Sequence, residues 1–136
     1  MINNQPVCDL VFISAERANL SDLENHDRTQ SLANELIDRG LDYKMVQGCW
    51  QNQTEATFAV RVQFADDLLR LVELAKMYNQ DAILLRNVRS ECFLIGSSDQ
   101  FWREKIGTMV RVSEAEAKRL EGWTLDYATG QYWAVK

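Results

Sequence analysis

Gly48-Cys49-Trp50-Gln51-Asn52-Gln53-Thr54-Glu55-Ala56-Thr57-Phe58-Ala59-Val60-Arg61-Val62 is the stretch on which the fold turns. Its second half alternates. Phe58, Val60 and Val62 take one side and Thr57, Ala59 and Arg61 the other, the period of a strand with one apolar face. The strand is expected to run from Glu55 or Ala56 to Gln63. Ahead of it, the polar run Gln51–Glu55 predicts a loop. An acid at the mouth of a strand is held by the sheet beneath it and open above, which suits a binding or catalytic carboxylate. Glu55 is therefore the first candidate site residue. The plainer alternative is a solvated loop glutamate, the usual state of a charged loop residue.

Upstream, Val7 to Ala15 is a compact apolar run and reads as a buried strand. Ser21-Asp22-Leu23-Glu24 matches a capping box, so a helix is expected from there to about Arg39, with Gly40 as its C-terminal glycine. Leu41 to Gln47 reads as a strand. Downstream, Asp66 and Asp67 suit the start of a second helix, and Leu68, Leu71, Val72 and Ala75 recur at helical spacing to about Tyr78. Asp81–Arg86 and Glu91–Gly96 predict a hairpin turning at Asn87-Val88-Arg89-Ser90. Gly107–Val112 predicts another strand. Ser113-Glu114-Ala115-Glu116 opens a short helix to about Leu120. Trp123–Tyr127 and Gln131–Val135 predict a last hairpin. The order points to one α+β domain over residues 1–136: a ferredoxin-like sandwich with a mainly antiparallel sheet, two main helices on one face and a C-terminal extension. Three of the four tryptophans follow residue 100, which adds either core or a packing surface there.

A chain of 136 residues, 46% of them hydrophobic, suffices for one core and argues against disorder. No apolar run approaches a membrane span. Met1–Pro6 carries neither the basic region nor the apolar segment of a secretory signal, so a cytoplasmic protein is expected. Cys8, Cys49 and Cys92 are an odd number, widely spaced, beside the single His26. That pattern disfavours both a structural zinc site and a disulfide framework. The net charge of −5 disfavours a general nucleic-acid binder and is compatible with a cationic ligand. There is no phosphate loop, no GxSxG and no HExxH, and Ser14 has no histidine partner in view.

Two stretches carry more. Val11-Phe12-Ile13-Ser14-Ala15-Glu16-Arg17-Ala18-Asn19-Leu20 resembles the first strand and turn of the phage-encoded S-adenosylmethionine lyases, formerly called hydrolases. Gly48-Cys49-Trp50, the polar run, and Glu55-Ala56-Thr57-Phe58-Ala59-Val60 are similar to that family's Gly-Cys-Tyr, loop, Glu-x-Thr-x-x-Val segment. The resemblance implies an enzyme without cofactor or metal that converts S-adenosylmethionine to 5′-methylthioadenosine and homoserine lactone. It also implies an anti-restriction role in the host cytoplasm and a homotrimer with active sites between subunits. A host S-adenosylmethionine synthase is a further possible partner. The family's functional glutamate falls on Glu55. Its tyrosine falls on Trp50, which has no hydroxyl, so any role that needs one is absent here or filled by another group, such as Tyr43 or a water. Ser14, Ala15 and Glu16 are expected on one side of the pocket, with Gly48, Cys49, Trp50, Thr57 and Phe58 completing the substrate-binding set.

The chemistry suits so plain a chain. The substrate brings its own nucleophile, the methionine carboxylate, and its own leaving group, a sulfonium. The protein must hold the tail folded, with the carboxylate roughly 3–3.5 Å from the γ-carbon, and keep water away. A carboxylate against the sulfonium would favour the charged ground state. Against the α-ammonium it orients the tail by a charge-assisted hydrogen bond, so Glu55 is expected to act ionised. The competing reading is a non-catalytic module that binds S-adenosylmethionine or inhibits a host protein through its acidic surface. Formation of methylthioadenosine separates the two.

Overall fold

The computed structural model describes residues 8–97 and 102–136. Val7, the expected first residue of the opening strand, and Met1–Pro6 lie outside them. Among the described residues there are eight strands and three helices: β1 Asp9–Ile13, α1 Asp22–Asp38, β2 Tyr43–Trp50, β3 Gln53–Val62, α2 Ala65–Met77, β4 Ala82–Arg86, β5 Glu91–Gly96, β6 Arg103–Val112, α3 Glu114–Ala117, β7 Gly122–Asp126 and β8 Gln131–Val135. The strands close into one antiparallel barrel in the order β1-β3-β2-β7-β8-β6-β5-β4, with β4 returning to β1.

This overturns the ferredoxin-like sandwich. The order of helices and strands is the expected one, but the C-terminal segment is no appendage. β6 runs from Arg103, four residues earlier than the expected Gly107, and pairs with β5 on one side and β8 on the other. β7 takes the free edge of β2. An open sheet would leave rows of unpaired N–H and C=O groups along β2 and β5, and closure removes both edges. A register shift at Cys92/Phe93 lets β6 turn the corner, with Gly107 opposite Cys92 at φ +143°. A Cβ on Gly107 would lie 2.6 Å from the Lys136 carbonyl oxygen, so only glycine fits this approach.

The loop expectation for Gln51–Glu55 is also corrected. β2 continues to Trp50 and β3 begins at Gln53. The turn is only Gln51-Asn52, with φ of 49° and 65°. Two successive positive φ values match the sheet's twist, as in a type I′ hairpin. Gln53, Thr54 and Glu55 are polar because they extend toward the barrel's rim, not because they leave the sheet.

The helices cover the outside. Leu32 and Leu36 of α1 and Leu71, Leu74 and Ala75 of α2 bury against Val11, Ile13, Phe58, Val60, Ile83 and Leu85. Their caps follow the sequence: Ser21 and Glu24 form the capping box, and Asp67 accepts from the Gln63 and Phe64 amides. Each fully buried leucine contributes about 1.5–3 kcal/mol through area removed from water. A second cluster joins Ala117 to Val112, Trp123 and Ala134. Val46, Ala59, Cys92 and Met109 are buried but belong to neither cluster. Alternation puts them on the opposite face of the closed sheet, and an eight-stranded barrel is just wide enough for side chains to fill. They line its interior.

Candidate active site

At one end of the barrel β1 stops at Ile13 and the chain turns through Ser14, Ala15 and Glu16 against the β3 segment that carries Glu55. The Ser14 hydroxyl donates to the Ala56 carbonyl at 2.9 Å and accepts from the Glu16 amide at 3.1 Å. The Glu16 carboxylate accepts from the Ala56 amide. Two segments about 40 positions apart are thereby locked together, and two carboxylates become neighbours at the rim.

Glu55 is half-buried, and its pKa is raised. Burial is the main cause and the nearby Glu16 charge the second, while the Ser14 hydroxyl pulls the other way. Among the described residues no cation pairs with Glu55. Its strand partner is Gly48. A Cβ on Gly48 would lie 3.8 Å from Glu55 Cγ and 2.7 Å from Thr57 Oγ1, so these three positions crowd one side of the sheet. Thr57 is buried there, its hydroxyl donating to the Glu55 carbonyl.

The other expected residues separate. Phe58 is 1% exposed and lies on the helix-covered face, edge-on to Tyr43 with ring centroids 5.0 Å apart. Phe58 is thus core, and Tyr43 is turned to the side opposite Glu55. Cys49 packs on the second cluster beside Trp123. Trp50 is 60% exposed, its ring lying over Gly122. Ala15 is buried, and its carbonyl accepts from Arg28 Nε at 2.7 Å. The structure therefore gathers Ser14, Glu16, Gly48, Glu55 and Thr57. It leaves Phe58 and Cys49 facing elsewhere, and Trp50 stands at the rim.

A cavity of about 1000 Å³ borders the turn at Arg17 and is lined also by Arg28, Gln80, Asp81, Ser97 and Trp102 among others. Glu55 does not line it. Glu16 connects the two, since its carbonyl accepts from the cavity-lining Gln80 while its carboxylate reaches the strand beside Glu55. Sequence reasoning missed Asn25, Arg28 and Gln80, which hold this turn; no motif marks them. Among the described residues no group of three or more His, Cys, Asp or Glu is placed to hold a metal ion, and no helix is long and apolar enough to cross a membrane.

The model of the S-adenosylmethionine lyase family takes in both stretches that form this rim. It matches residues 11–136. The chain belongs to the S-adenosylmethionine lyase family. The family's description indicates a lyase acting on S-adenosylmethionine. No curated protein matches the chain.

Proposed function

We propose that the protein degrades S-adenosylmethionine by intramolecular attack of the substrate's own carboxylate. The carboxylate oxygen forms a bond to the γ-carbon. The γ-carbon–sulfur bond breaks, and its electron pair returns to sulfur. The sulfonium becomes the neutral thioether of 5′-methylthioadenosine, and the remainder closes as homoserine lactone. Charge and atoms balance with no proton donor, water or metal.

The observation that carries this reading is Glu55: an acid held half-buried beside Glu16 with no cation paired to it among the described residues. Such an arrangement is costly when empty and is relieved by a cationic ligand. The substrate's α-ammonium is that cation. Held by Glu55, it swings the tail so that the carboxylate meets the γ-carbon in a near-attack geometry. Glu55 moves no proton. Trp50, exposed at the same rim, is a wall that a neighbouring subunit would complete, in keeping with a homotrimer whose sites lie between chains. Removing S-adenosylmethionine from a host cell would starve its methylation-dependent restriction, which gives the activity an anti-restriction role in a phage infection.

The experiment is turnover in H₂¹⁸O followed by mass spectrometry. The proposal expects methylthioadenosine and unlabelled homoserine lactone, the lactone later opening with label in its carboxylate. Homoserine labelled at the γ-hydroxyl would mean attack by water and overturn the mechanism. Binding without methylthioadenosine would favour a sensor or inhibitor.

A further inference from the structure

The turn after β1 has no regular secondary structure, yet its main chain is held by side chains over three consecutive residues. The Ala15 carbonyl accepts from Arg28 Nε at 2.7 Å. The Glu16 carbonyl accepts from Gln80 Nε2 at 3.0 Å. Asn25 grips Arg17 twice: its side-chain oxygen accepts from the Arg17 amide and its amide nitrogen donates to the Arg17 carbonyl, both at 2.9 Å. The Glu16 amide is taken by Ser14 Oγ. Every backbone group from the Ala15 carbonyl to the Arg17 carbonyl thus has a partner.

These clamps come from two separate places. Asn25 and Arg28 lie on one face of α1, and Asn25 is buried. Gln80 follows α2, and its own amide and carbonyl are tied to Ala75 and Ser97. A loop needs no such bracing merely to connect β1 to α1, since water satisfies exposed loop groups at little cost. What the bracing fixes is one side chain. With the backbone from the Ala15 carbonyl to the Arg17 carbonyl held at each polar group, the Glu16 carboxylate starts from a fixed point and rests on the Ala56 amide next to Glu55. Charged groups at a reaction site act best when held in place before the substrate arrives, and small misplacements are expensive in rate.

We propose that Asn25 and Gln80 are positioning residues for the reaction: they hold the Glu16 and Arg17 main chain so that the Glu16 carboxylate stays on the Ala56 amide and sets the place of Glu55. The inference rests on the reading of Glu55 given above. Neither residue touches substrate. Their contribution is to the geometry of the two carboxylates and so to the chemical step.

The test uses Asn25→Asp, which keeps the acceptor for the Arg17 amide but replaces the donor to its carbonyl with a charged oxygen, and the uncharged Gln80→Met, which keeps length and removes the donor to Glu16. Two quantities are read on the full chain: steady-state kinetics with S-adenosylmethionine, and hydrogen exchange of the Ala56 amide. The expected result is a fall of about tenfold in kcat, a KM within about threefold of the parent, and faster exchange at Ala56. Gln80→Asn, too short to reach, should behave like Gln80→Met, and Asn25→Gln should recover little. If a folded variant exchanges Ala56 at the parent rate, or exchanges it faster while kcat is unchanged, the positioning role is overturned. Should Asn25→Asp fail to fold, Gln80→Met decides. A parent protein that makes no methylthioadenosine defeats the reaction itself, an outcome visible before any variant is made.

Discussion

Two glutamates on strands of the same barrel meet opposite treatment. Glu91, at the start of β5, is surrounded by donors: Lys105 Nζ at 2.7 Å, Asn87 Nδ2 at 3.0 Å and Arg89 Nε at 3.1 Å. Its pKa falls to about 2, chiefly through the Lys105 and Asn87 bonds. Glu55, at the rim of β3, is pushed the other way by burial and by Glu16, with only the Ser14 hydroxyl to oppose them. The first region is electrostatically complete and has nothing left to bind. The second is left incomplete by the fold, and completion must come from outside. That difference, more than the presence of an acid on a strand, is what makes the Glu55 end the candidate site of the proposed reaction.

The largest break in this contrast is expected from Glu55→Gln. Turnover should fall by about 100-fold or more, because a neutral amide orients an ammonium poorly. Stability should move the opposite way. A carboxyl whose folded pKa lies above its unfolded value is most favourable to folding below the unfolded value. That contribution is lost as the pH rises through the unfolded value toward the folded one. At neutral pH the ionised Glu55 therefore opposes folding, and Glu55→Gln should melt at or above the parent temperature. A parallel loss of both rate and melting temperature would make Glu55 a structural residue.

Glu16→Gln is the next step down. The amide oxygen can still accept from the Ala56 amide, so the turn is kept and only the charge is lost. kcat/KM for S-adenosylmethionine should fall about tenfold, equivalent to about 1.4 kcal/mol. Glu55 should then ionise more easily. Because the proposed reaction needs ionised Glu55, the acidic limb of the rate profile should move to lower pH in this variant. A limb that stays in place would uncouple the two acids.

How far this contrast was visible in the sequence depends on the range of the forces involved. Local patterns were legible: the capping box at Ser21–Glu24, the alternation from Thr57 to Val62, and the hairpin between Asp81 and Gly96 all record forces acting over a few residues. Closure was not. Whether Arg103–Val112 pairs with β5, and whether Gly122–Asp126 takes the edge of β2, is decided by partners far along the chain, and alternation alone is the same in a sandwich and a barrel. The polar run Gln51–Glu55 misled for a related reason, since polar residues at a barrel rim look like a loop until the positive φ of Gln51 and Asn52 shows a two-residue turn. Glu55 itself was legible as an acid entering a strand. Its neighbour Glu16 was expected at the site only by position, and the bracing by Asn25 and Gln80 left no trace in spacing. Phe58 is the opposite case, since strand alternation already put it on the side away from Thr57, where the structure buries it in the core.

Gly48→Ala sharpens the comparison at the level of a single methyl group. The new Cβ would sit 2.7 Å from Thr57 Oγ1, which must turn away and give up its bond to the Glu55 carbonyl. The residue directly across the strand pair is Glu55. The expected effect is a loss of about threefold in kcat from the disturbed carboxylate, with destabilisation of about 1 kcal/mol from the crowded methyl. A rate equal to the parent's would show that Glu55 tolerates movement of its neighbours and would weaken the case for a rigid site.

The smallest effect on rate belongs to Glu91→Gln, and its value is as the other half of the contrast. Turnover should be unchanged, since the Lys105, Asn87 and Arg89 donors lie around β5 and address only Glu91. Stability should respond to pH with the sign opposite to that of Glu55. A carboxyl whose folded pKa lies below its unfolded value stabilises the fold above the unfolded value, near 4.5, and loses that contribution as the pH falls to about 2. Melting of the parent and Glu91→Gln should therefore differ at pH 7, with the parent higher, and converge by about pH 2. The charges are exposed and screened by salt, so the gap at pH 7 should also narrow at high ionic strength. If Glu91→Gln instead lowered turnover while its melting curve followed the parent at every pH, electrostatic completeness would not distinguish a structural acid from a functional one in this fold.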